Sequence, residues 1–108
     1  MSKIREAFLI YAQPEKYEEY IRRHNPIWPD LKKELKKYGI SNYSIFMHEN
    51  KKYLFGYFEI KNKRLYERMG DSEVCRKWWK HMTEVLICNA ESDEKAKEDI
   101  LTEVFYLE

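Results

Sequence analysis

Two prolines, Pro26 and Pro29, interrupt a helical pattern early in the chain and limit how its first half can fold. Proline lacks a backbone donor and its ring clashes with the preceding helical turn. The residue before a proline is also driven away from helical angles. A helix that contains residues 17–24 must therefore end or kink near His24. Because local conflict of this kind is common where a site is built, His24 is the first candidate site residue.

Length and charge exclude several classes of protein. The chain has 108 residues, and we expect residues 1–108 to form a single domain. A formal net charge of +1 gives no field that would attract nucleic acid or an acidic membrane. No apolar stretch approaches the roughly 20 residues that cross a bilayer, and no signal peptide is recognisable. Cys75 and Cys88 form no C-x-x-C pair. These features predict a cytoplasmic protein with reduced thiols, which binds neither nucleic acid nor membrane.

Hydrophobic periodicity divides the first half of the chain into a strand, a broken helix and a hairpin. Ile4–Tyr11 is apolar on both faces, which is typical of a strand covered on both sides. We expect a helix to begin at residues 13–15, where a proline suits the first turn, and to stop at Gly39. Residues 40–48 and Tyr53–Ile60 then predict two strands joined by a short polar turn.

The second half contains another helical region and a final strand. Residues 61–84 have helical spacing, with a break before Ser72, which is a candidate N-cap. Residues 89–99 are polar and charged and predict a connecting loop, and residues 100–107 predict the last strand. Gly56, inside the third strand, indicates a close approach by a helix or by a ligand.

The resulting order β-α-β-β-α-β predicts a ferredoxin-like α+β fold, with one antiparallel sheet and helices on one of its faces. The two helical regions cover only one face, so the other should expose apolar and aromatic side chains. Such a surface marks a partner, and a second copy of the chain is the simplest one, so we expect a homodimer that packs sheet against sheet. The side chains we assign to this surface are Tyr43, Ile45, Tyr53, Phe55 and Tyr57.

Residues for several common chemistries are missing from the sequence. His24, His48 and His81 do not have metal-ligand spacing, and no carboxylate completes a zinc or iron set. There is no phosphate-binding glycine loop and no G-x-S-x-G motif. A metal site and a bound nucleotide are therefore not expected, and we interpret His48 and His81 as surface or structural residues.

One histidine, tyrosines and a tryptophan pair remain as candidates. His24 follows Tyr20 by four residues, so the two share a helical face, and imidazole exchanges protons near neutral pH. Trp78 and Trp79 are adjacent on a helix and point about 100° apart, so one can pack inside while the other lines a cavity. Aromatic surface beside hydroxyl groups suits a sugar. The alternative is that these residues, with Tyr43, serve only in packing.

Four segments of the chain resemble the L-rhamnose mutarotase family. They are Arg-Arg-His-Asn-Pro-Ile-Trp-Pro at residues 22–29, Asn-Tyr at 42–43, Val-Cys-Arg-Lys-Trp-Trp-Lys at 74–80 and Glu-Val-Phe-Tyr-Leu at 103–107. The similarity extends from about Ile4 to the C-terminus, and two of the segments are long and rich in rare residue types. The resemblance implies a dimeric ferredoxin-like α/β barrel that interconverts the α and β anomers of L-rhamnose.

The same resemblance implies roles for five residues and no cofactor. The proton donor falls on His24, which is expected to protonate the ring oxygen as the C1–O5 bond opens; the aldehyde then rotates and recloses on its other face. The chain departs from the family in residues 89–99, where charges replace the prolines that the family often carries. The sugar-binding positions fall on Tyr20, Tyr43, Trp78 and Trp79.

Two other functions are compatible with the same sequence. One is a cofactor-dependent oxygenase, because such enzymes share the dimeric barrel; it predicts a coloured cofactor or oxygen uptake. The other is a non-catalytic sugar-binding module, which predicts L-rhamnose binding without faster anomer exchange. The residues alone do not distinguish L-rhamnose from another 6-deoxy sugar such as fucose.

Overall fold

A computed structural model describes residues 3–108, which form one four-stranded antiparallel sheet and four α-helices. The strands lie in the order β2-β3-β1-β4. This is the ferredoxin-like order predicted above, with its two β-hairpin strands at one side of the sheet. The elements are β1 (Ile4–Tyr11), α1 (Tyr17–Arg23), α2 (Pro29–Lys37), β2 (Ile40–Met47), β3 (Tyr53–Ile60), α3 (Lys63–Glu67), a 3-10 turn (Arg68–Asp71), α4 (Glu73–Met82) and β4 (Asp99–Leu101).

The core lies between the sheet and the helices. Every second side chain of a strand points to the same face, and on β1 and β3 these alternate positions are buried. The helices therefore cover a single face of the sheet, as the sequence predicts. The most deeply buried members of this core are Ala12, Leu31, Leu54, Ile60, Cys75 and Val85.

The chain breaks between α1 and α2 where the two prolines predict it. His24 is the C-terminal cap of α1, the Asn25–Pro26 peptide is cis, and Pro29 is the first residue of α2. Gly39 follows α2 with a φ of 83°, a left-handed angle that glycine adopts without a steric clash. The predicted break and the predicted stop are both confirmed.

The first helix begins later than residues 13–15, so the predicted start is wrong. Glu15 has a φ of 62°, which lies outside the helical range. The backbone N–H of Gln13 donates to the carbonyl of Val85 at 2.9 Å. This segment is therefore a turn that is tied to the chain after α4, and the helix starts only at Tyr17.

A bulge in β2 reverses the predicted faces of Tyr43 and Ile45. The register with β3 shifts between Ser41 and Ser44, where Asn42 adopts a φ of 49°. The extra residue turns both side chains towards the helices, so their assignment to the open face is wrong. The open face instead carries Phe46, with Tyr53, Phe55 and Tyr57 as predicted.

The last strand is much shorter than the predicted residues 100–107. Past Leu101 the chain forms no ladder with β1, and side-chain contacts of Arg5 continue instead, with the carboxylate of Glu103 and, at 3.6 Å, with the ring centre of Tyr106. Residues 102–108 are exposed and lie outside regular secondary structure.

β2 ends at Met47, one residue before its predicted end at residue 48. It ends there because His48 takes part in the hairpin turn.

Ser72 holds the start of α4, as its predicted N-cap role requires. Its hydroxyl accepts a hydrogen bond from the backbone N–H of Cys75 at 3.2 Å and donates one to the carboxylate of Glu34 on α2. The second helical region is broken before this residue, as predicted, into α3, a 3-10 turn and α4.

Within residues 3–108 no helix has the length and apolar character needed to cross a bilayer.

Gly56 makes room for an aromatic ring of the neighbouring strand. It pairs with Phe8 across β1 and β3, and a Cβ at this position would lie 2.1 Å from the Phe8 ring. The close approach predicted at Gly56 is therefore made by a side chain of β1, and neither by a helix nor by a ligand.

Gly56→Ala should destabilise the protein, because the new methyl group would force the buried Phe8 ring out of its position. Overpacking of this kind typically costs about 1–3 kcal/mol, which would appear as a lower midpoint of urea unfolding. Gly70→Ala is the matched control, since a Cβ there would meet nothing within 4 Å. Equal midpoints for the two variants would contradict this interpretation.

Candidate active site

A cavity of about 450 Å³ opens between the sheet and the helices. This volume lies within the range of about 300–1,000 Å³ that is usual for small-molecule sites. The strands supply one side of the cavity, including Phe8, Ile45 and Phe58, and the helices supply most of the other. The lining is largely apolar with a few polar side chains, which is the usual composition of a specific ligand site.

All five residues predicted for the site line this one cavity. α1 contributes a tyrosine and its capping histidine, β2 contributes the tyrosine that the bulge turns inward, and α4 contributes both tryptophans. Residues from three elements, up to 59 positions apart in sequence, thus meet at one place. They are Tyr20, His24, Tyr43, Trp78 and Trp79.

His24 has a defined protonation pattern. Its Nδ1 lies 2.9 Å from the carbonyl oxygen of Tyr20. A carbonyl can only accept, so Nδ1 carries the proton, and the neutral ring has its lone pair on Nε2. Within residues 3–108 no side chain or backbone group forms a hydrogen bond to Nε2. Burial lowers the pKa of His24 below its ordinary value, against the opposing effect of the Tyr20 carbonyl.

Aromatic packing fixes the plane of the imidazole. The His24 ring stands perpendicular to Trp78 at a centroid distance of 5.2 Å and lies 4.5 Å from Tyr20. Trp78 in turn packs edge-on against Trp28 at 5.0 Å, and Trp28 is 5.2 Å from His81. His81 therefore supports the site from behind, which agrees with its structural interpretation.

Arg23 fastens the end of α1 to α4 beside His24. Its guanidinium donates to the carbonyl of His81 at 2.7 Å and pairs with Glu19 at 2.7 Å and Glu84 at 2.9 Å. Arg23 is largely buried, so these bonds are screened less by solvent than surface pairs. The histidine next to it is consequently held at a fixed position relative to α4.

The two tyrosines present hydroxyl groups to the cavity. Tyr20 is 4% exposed, and burial raises its pKa. Tyr43 is 41% exposed and lines the cavity, and desolvation and then the neighbouring Tyr20 and Glu98 raise its pKa. Both phenols therefore stay protonated at neutral pH and can donate. Neither hydroxyl has a hydrogen-bond partner in the described part of the chain.

The adjacent tryptophans both contribute to the lining. Trp78 is 8% exposed and packs in the core while one edge reaches the cavity, and Trp79 is half-buried. The ammonium group of Lys95 lies 4.4 Å from the centre of the Trp79 ring, in a cation–π contact. The sequence predicted that one ring packs inside and that the other lines a cavity. Trp79 lines the cavity as predicted, whereas Trp78 both packs inside and lines the cavity.

Four further polar residues line the cavity that the sequence did not single out: Asn25, Tyr66, Lys95 and Glu98. Asn25 belongs to the first of the four motif segments and could have been found there. Tyr66 precedes Met69 by three residues, so it shares the apolar face of its helical region. The last two lie in residues 89–99, where the unusual charges were the only signal.

Proton transfer and hydroxyl recognition are the chemistry that this cavity can support. It combines one imidazole, several phenol groups and aromatic surface. Among residues 3–108 no three histidine, cysteine or acidic side chains converge at a position that could hold a metal ion. In the lining of the cavity, His24 is the group able to exchange protons near neutral pH.

Comparison with known proteins identifies the same family from the sequence and from the structure. The family model described as L-rhamnose mutarotase matches residues 5–107. An L-rhamnose mutarotase of Pectobacterium atrosepticum is 42% identical over 105 residues, which cover 97% of this chain and 99% of the relative. One from Shigella flexneri is 41% identical over 104 residues, covering 96% of this chain and 98% of the relative.

Solved structures resemble the fold described here. The crystal structure of an L-rhamnose mutarotase from Formosa agariphila matches with a TM-score of 0.83 and 32% identity, covering 97% of this chain and 99% of that one. A Pseudomonas aeruginosa protein matches with a TM-score of 0.61 and 14% identity over 97% of both chains, which supports the fold alone. Agreement over nearly the whole length, in sequence and in fold, shows that the chain belongs to the L-rhamnose mutarotase family.

Proposed function

We propose that this isomerase interconverts the α and β anomers of L-rhamnose, with His24 as its catalytic residue. The observation that carries the proposal is the orientation of the imidazole. Nδ1 is bound to a backbone carbonyl, so the basic Nε2 remains for the cavity. Resemblance to relatives named L-rhamnose mutarotase supports the sugar.

In the proposed first step, Nε2 of neutral His24 accepts the proton of the anomeric hydroxyl. The C1–O5 bond breaks as the C1–O1 bond becomes a carbonyl, and the imidazolium returns the same proton to O5. The aldehyde rotates about C1–C2, and the reverse steps close the ring on its other face. His24 is thus acceptor and donor in turn, and no cofactor or net proton change is required.

The tyrosine hydroxyls and tryptophan rings are proposed to hold the sugar during these steps. Tyr20 and Tyr43 donate hydrogen bonds to sugar oxygens, because their raised pKa values keep both phenols protonated. Trp78 and Trp79 offer apolar surface to the C–H groups and to the C6 methyl. Sugars already change anomer slowly in water, so positioning together with one proton-transfer group meets the demand.

Replacing His24 by glutamine should slow anomer exchange by roughly 10²–10⁴-fold, the usual contribution of one acid–base group. Glutamine fills similar space but does not titrate, so the fold should be retained. Exchange between the α and β forms of L-rhamnose can be followed by proton NMR saturation transfer, and circular dichroism reports the fold.

His48→Gln is the matched control for this experiment. It makes the same chemical change at an exposed hairpin position, and its exchange rate should equal that of the unaltered protein. A folded His24→Gln variant with an unchanged rate would remove His24 from the proposed role.

The pH dependence should show a single acidic limb. Because burial lowers the pKa of His24 below about 6.5, the neutral ring prevails at pH 7. The catalysed rate should be level above neutrality and should fall as the pH drops through that lowered value, since imidazolium cannot accept the first proton. A rate that instead rises on acidification would point to imidazolium as the initial donor.

We also propose that two chains pack with their open sheet faces together. The described chain leaves Phe46 67% exposed on that face, and the tail leaves Val104 92% and Phe105 76% exposed. Exposed apolar surface of this extent is typical of a protein interface. A homodimer of the dimeric-barrel type would cover it and leave the cavity on the helix side of each sheet.

Phe46→Glu should weaken the dimer, because it introduces a charge into the proposed interface at the most exposed aromatic side chain of the open sheet face. Light scattering coupled to size exclusion should then shift from twice the chain mass of 13.4 kDa towards a single chain. Lys33→Glu, which places the same side chain on the exposed surface of α2, should stay dimeric. A monomeric starting protein would refute this proposal.

A cytoplasmic location fits the thiols of the described chain. Cys75 is buried and Cys88 is half-buried, and neither takes part in a disulfide. Unpaired thiols persist in a reducing compartment. We therefore propose that the enzyme acts on free L-rhamnose in the cytoplasm.

A further inference from the structure

The segment that leads into β4 forms one wall of the cavity and alternates between the two faces of the sheet. Ala96 and Glu98 line the cavity. Lys97 and Asp99 contact Tyr11 on the opposite face, the first with its ammonium 5.0 Å from the ring centre and the second by accepting the hydroxyl hydrogen bond. This is the alternation of an extended chain, and it directs the Glu98 side chain inward.

Backbone bonds fix this segment on both sides of Glu98. The N–H of Lys97 donates to the carbonyl of Ile87 at 3.0 Å, and the N–H of Ile87 donates to the carbonyl of Tyr11 at 2.8 Å. On the other side Asp99 pairs with Leu9 in the sheet. The position of Glu98 therefore follows from the sheet itself, although the residue lies in an irregular connection.

The carboxylate of Glu98 has no protein partner in the described chain. No hydrogen-bond donor and no cation within residues 3–108 pairs with it, whereas Lys95, the other charged residue of this wall, lies over the Trp79 ring. Glu98 lies on the side of the cavity formed by Tyr43 and Tyr66. Its charge adds to the desolvation that raises the pKa of each of these two phenols.

We propose that Glu98 is a sugar-binding residue that accepts hydrogen bonds from hydroxyl groups of the substrate. The inference rests on the proposed function and adds a group from residues 89–99 that no motif assigns. A carboxylate offers only acceptors, and a sugar hydroxyl offers a donor. Hydrogen bonds to a charged group are stronger than neutral ones, so an unpaired carboxylate at the cavity is well suited to orient a neutral polyol.

Binding, rather than proton transfer, is the role that the surroundings favour. The proton of the reaction moves between O1 and O5, and both are bonded to C1, so Nε2 of His24 can serve the two in turn. Glu98 lies beside Tyr43 of β2 and Tyr66 of α3 and is exposed at the cavity mouth. It can therefore reach hydroxyl groups on ring carbons away from C1.

Glu98→Gln tests the proposal, because the amide keeps the size of the side chain and removes its charge. The exchange rate is measured at increasing L-rhamnose concentration by saturation transfer. KM should rise roughly tenfold, in line with the loss of a charged hydrogen bond, while kcat stays within about threefold. Glu94→Gln is the matched control, since Glu94 is exposed in the same connection and does not line the cavity. The KM and kcat of Glu94→Gln should both equal those of the unaltered protein.

Two results would overturn the inference: an unchanged KM in Glu98→Gln, or a fall in kcat well beyond threefold, which would assign proton transfer to this carboxylate. A titration of L-rhamnose by calorimetry accompanies the kinetics. If the unaltered protein binds L-rhamnose but does not accelerate exchange, the proposed reaction fails. The role of Glu98 is then judged by the affinity for L-rhamnose alone. Weaker binding by Glu98→Gln would support the inference, and equal binding would contradict it.

Discussion

The carbonyl of Tyr20 is the group on which the site depends. In a continuous helix this oxygen would accept the backbone N–H of residue 24. Here the N–H of His24 bonds to the carbonyl of Ile21 at 3.1 Å, because the helix tightens as it ends before the prolines. The Tyr20 carbonyl becomes one of the unsatisfied acceptors of a helix terminus, and the imidazole of His24 satisfies it. The proline break thus determines which ring nitrogen is free for chemistry.

A lone hydrogen bond would not hold a ring at a catalytic angle, and the surrounding packing supplies the remaining constraint. Trp78 meets the imidazole edge-on, and Trp78 is itself held by Trp28, which stands directly before α2. The proline-rich segment therefore has two structural roles. It ends α1 at His24, and it places Trp28 against Trp78 behind the cavity. Arg23 adds a polar link between the end of α1, where His24 lies, and α4, which carries both tryptophans.

Local patterns in the sequence predicted the helices and strands well, and they predicted less well which face of the sheet each side chain occupies. Eight-residue apolar strands, a proline break and a serine cap are signals that neighbouring residues determine, and the structure agrees with them. The bulge at Asn42 is different, because a single left-handed residue reverses the direction of Tyr43 without changing the local hydrophobic pattern. The short β4 depends on what β1 can pair with, and Glu98 reaches the cavity because its neighbours Lys97 and Asp99 contact Ile87 and Tyr11. Such long-range contacts are invisible to periodicity.

The sheet separates the cavity from the proposed interface between chains through the alternation of its side chains. On β3 the inward positions, such as Phe58, form the cavity side, and the outward positions, such as Phe55, form the open face. On the segment before β4 the same rule directs Glu98 towards the cavity and Asp99 towards the opposite face. A substitution at a position on one face therefore does not project into the other face. The cavity and the proposed interface between chains can consequently vary independently, although they lie on two sides of a single layer of strands.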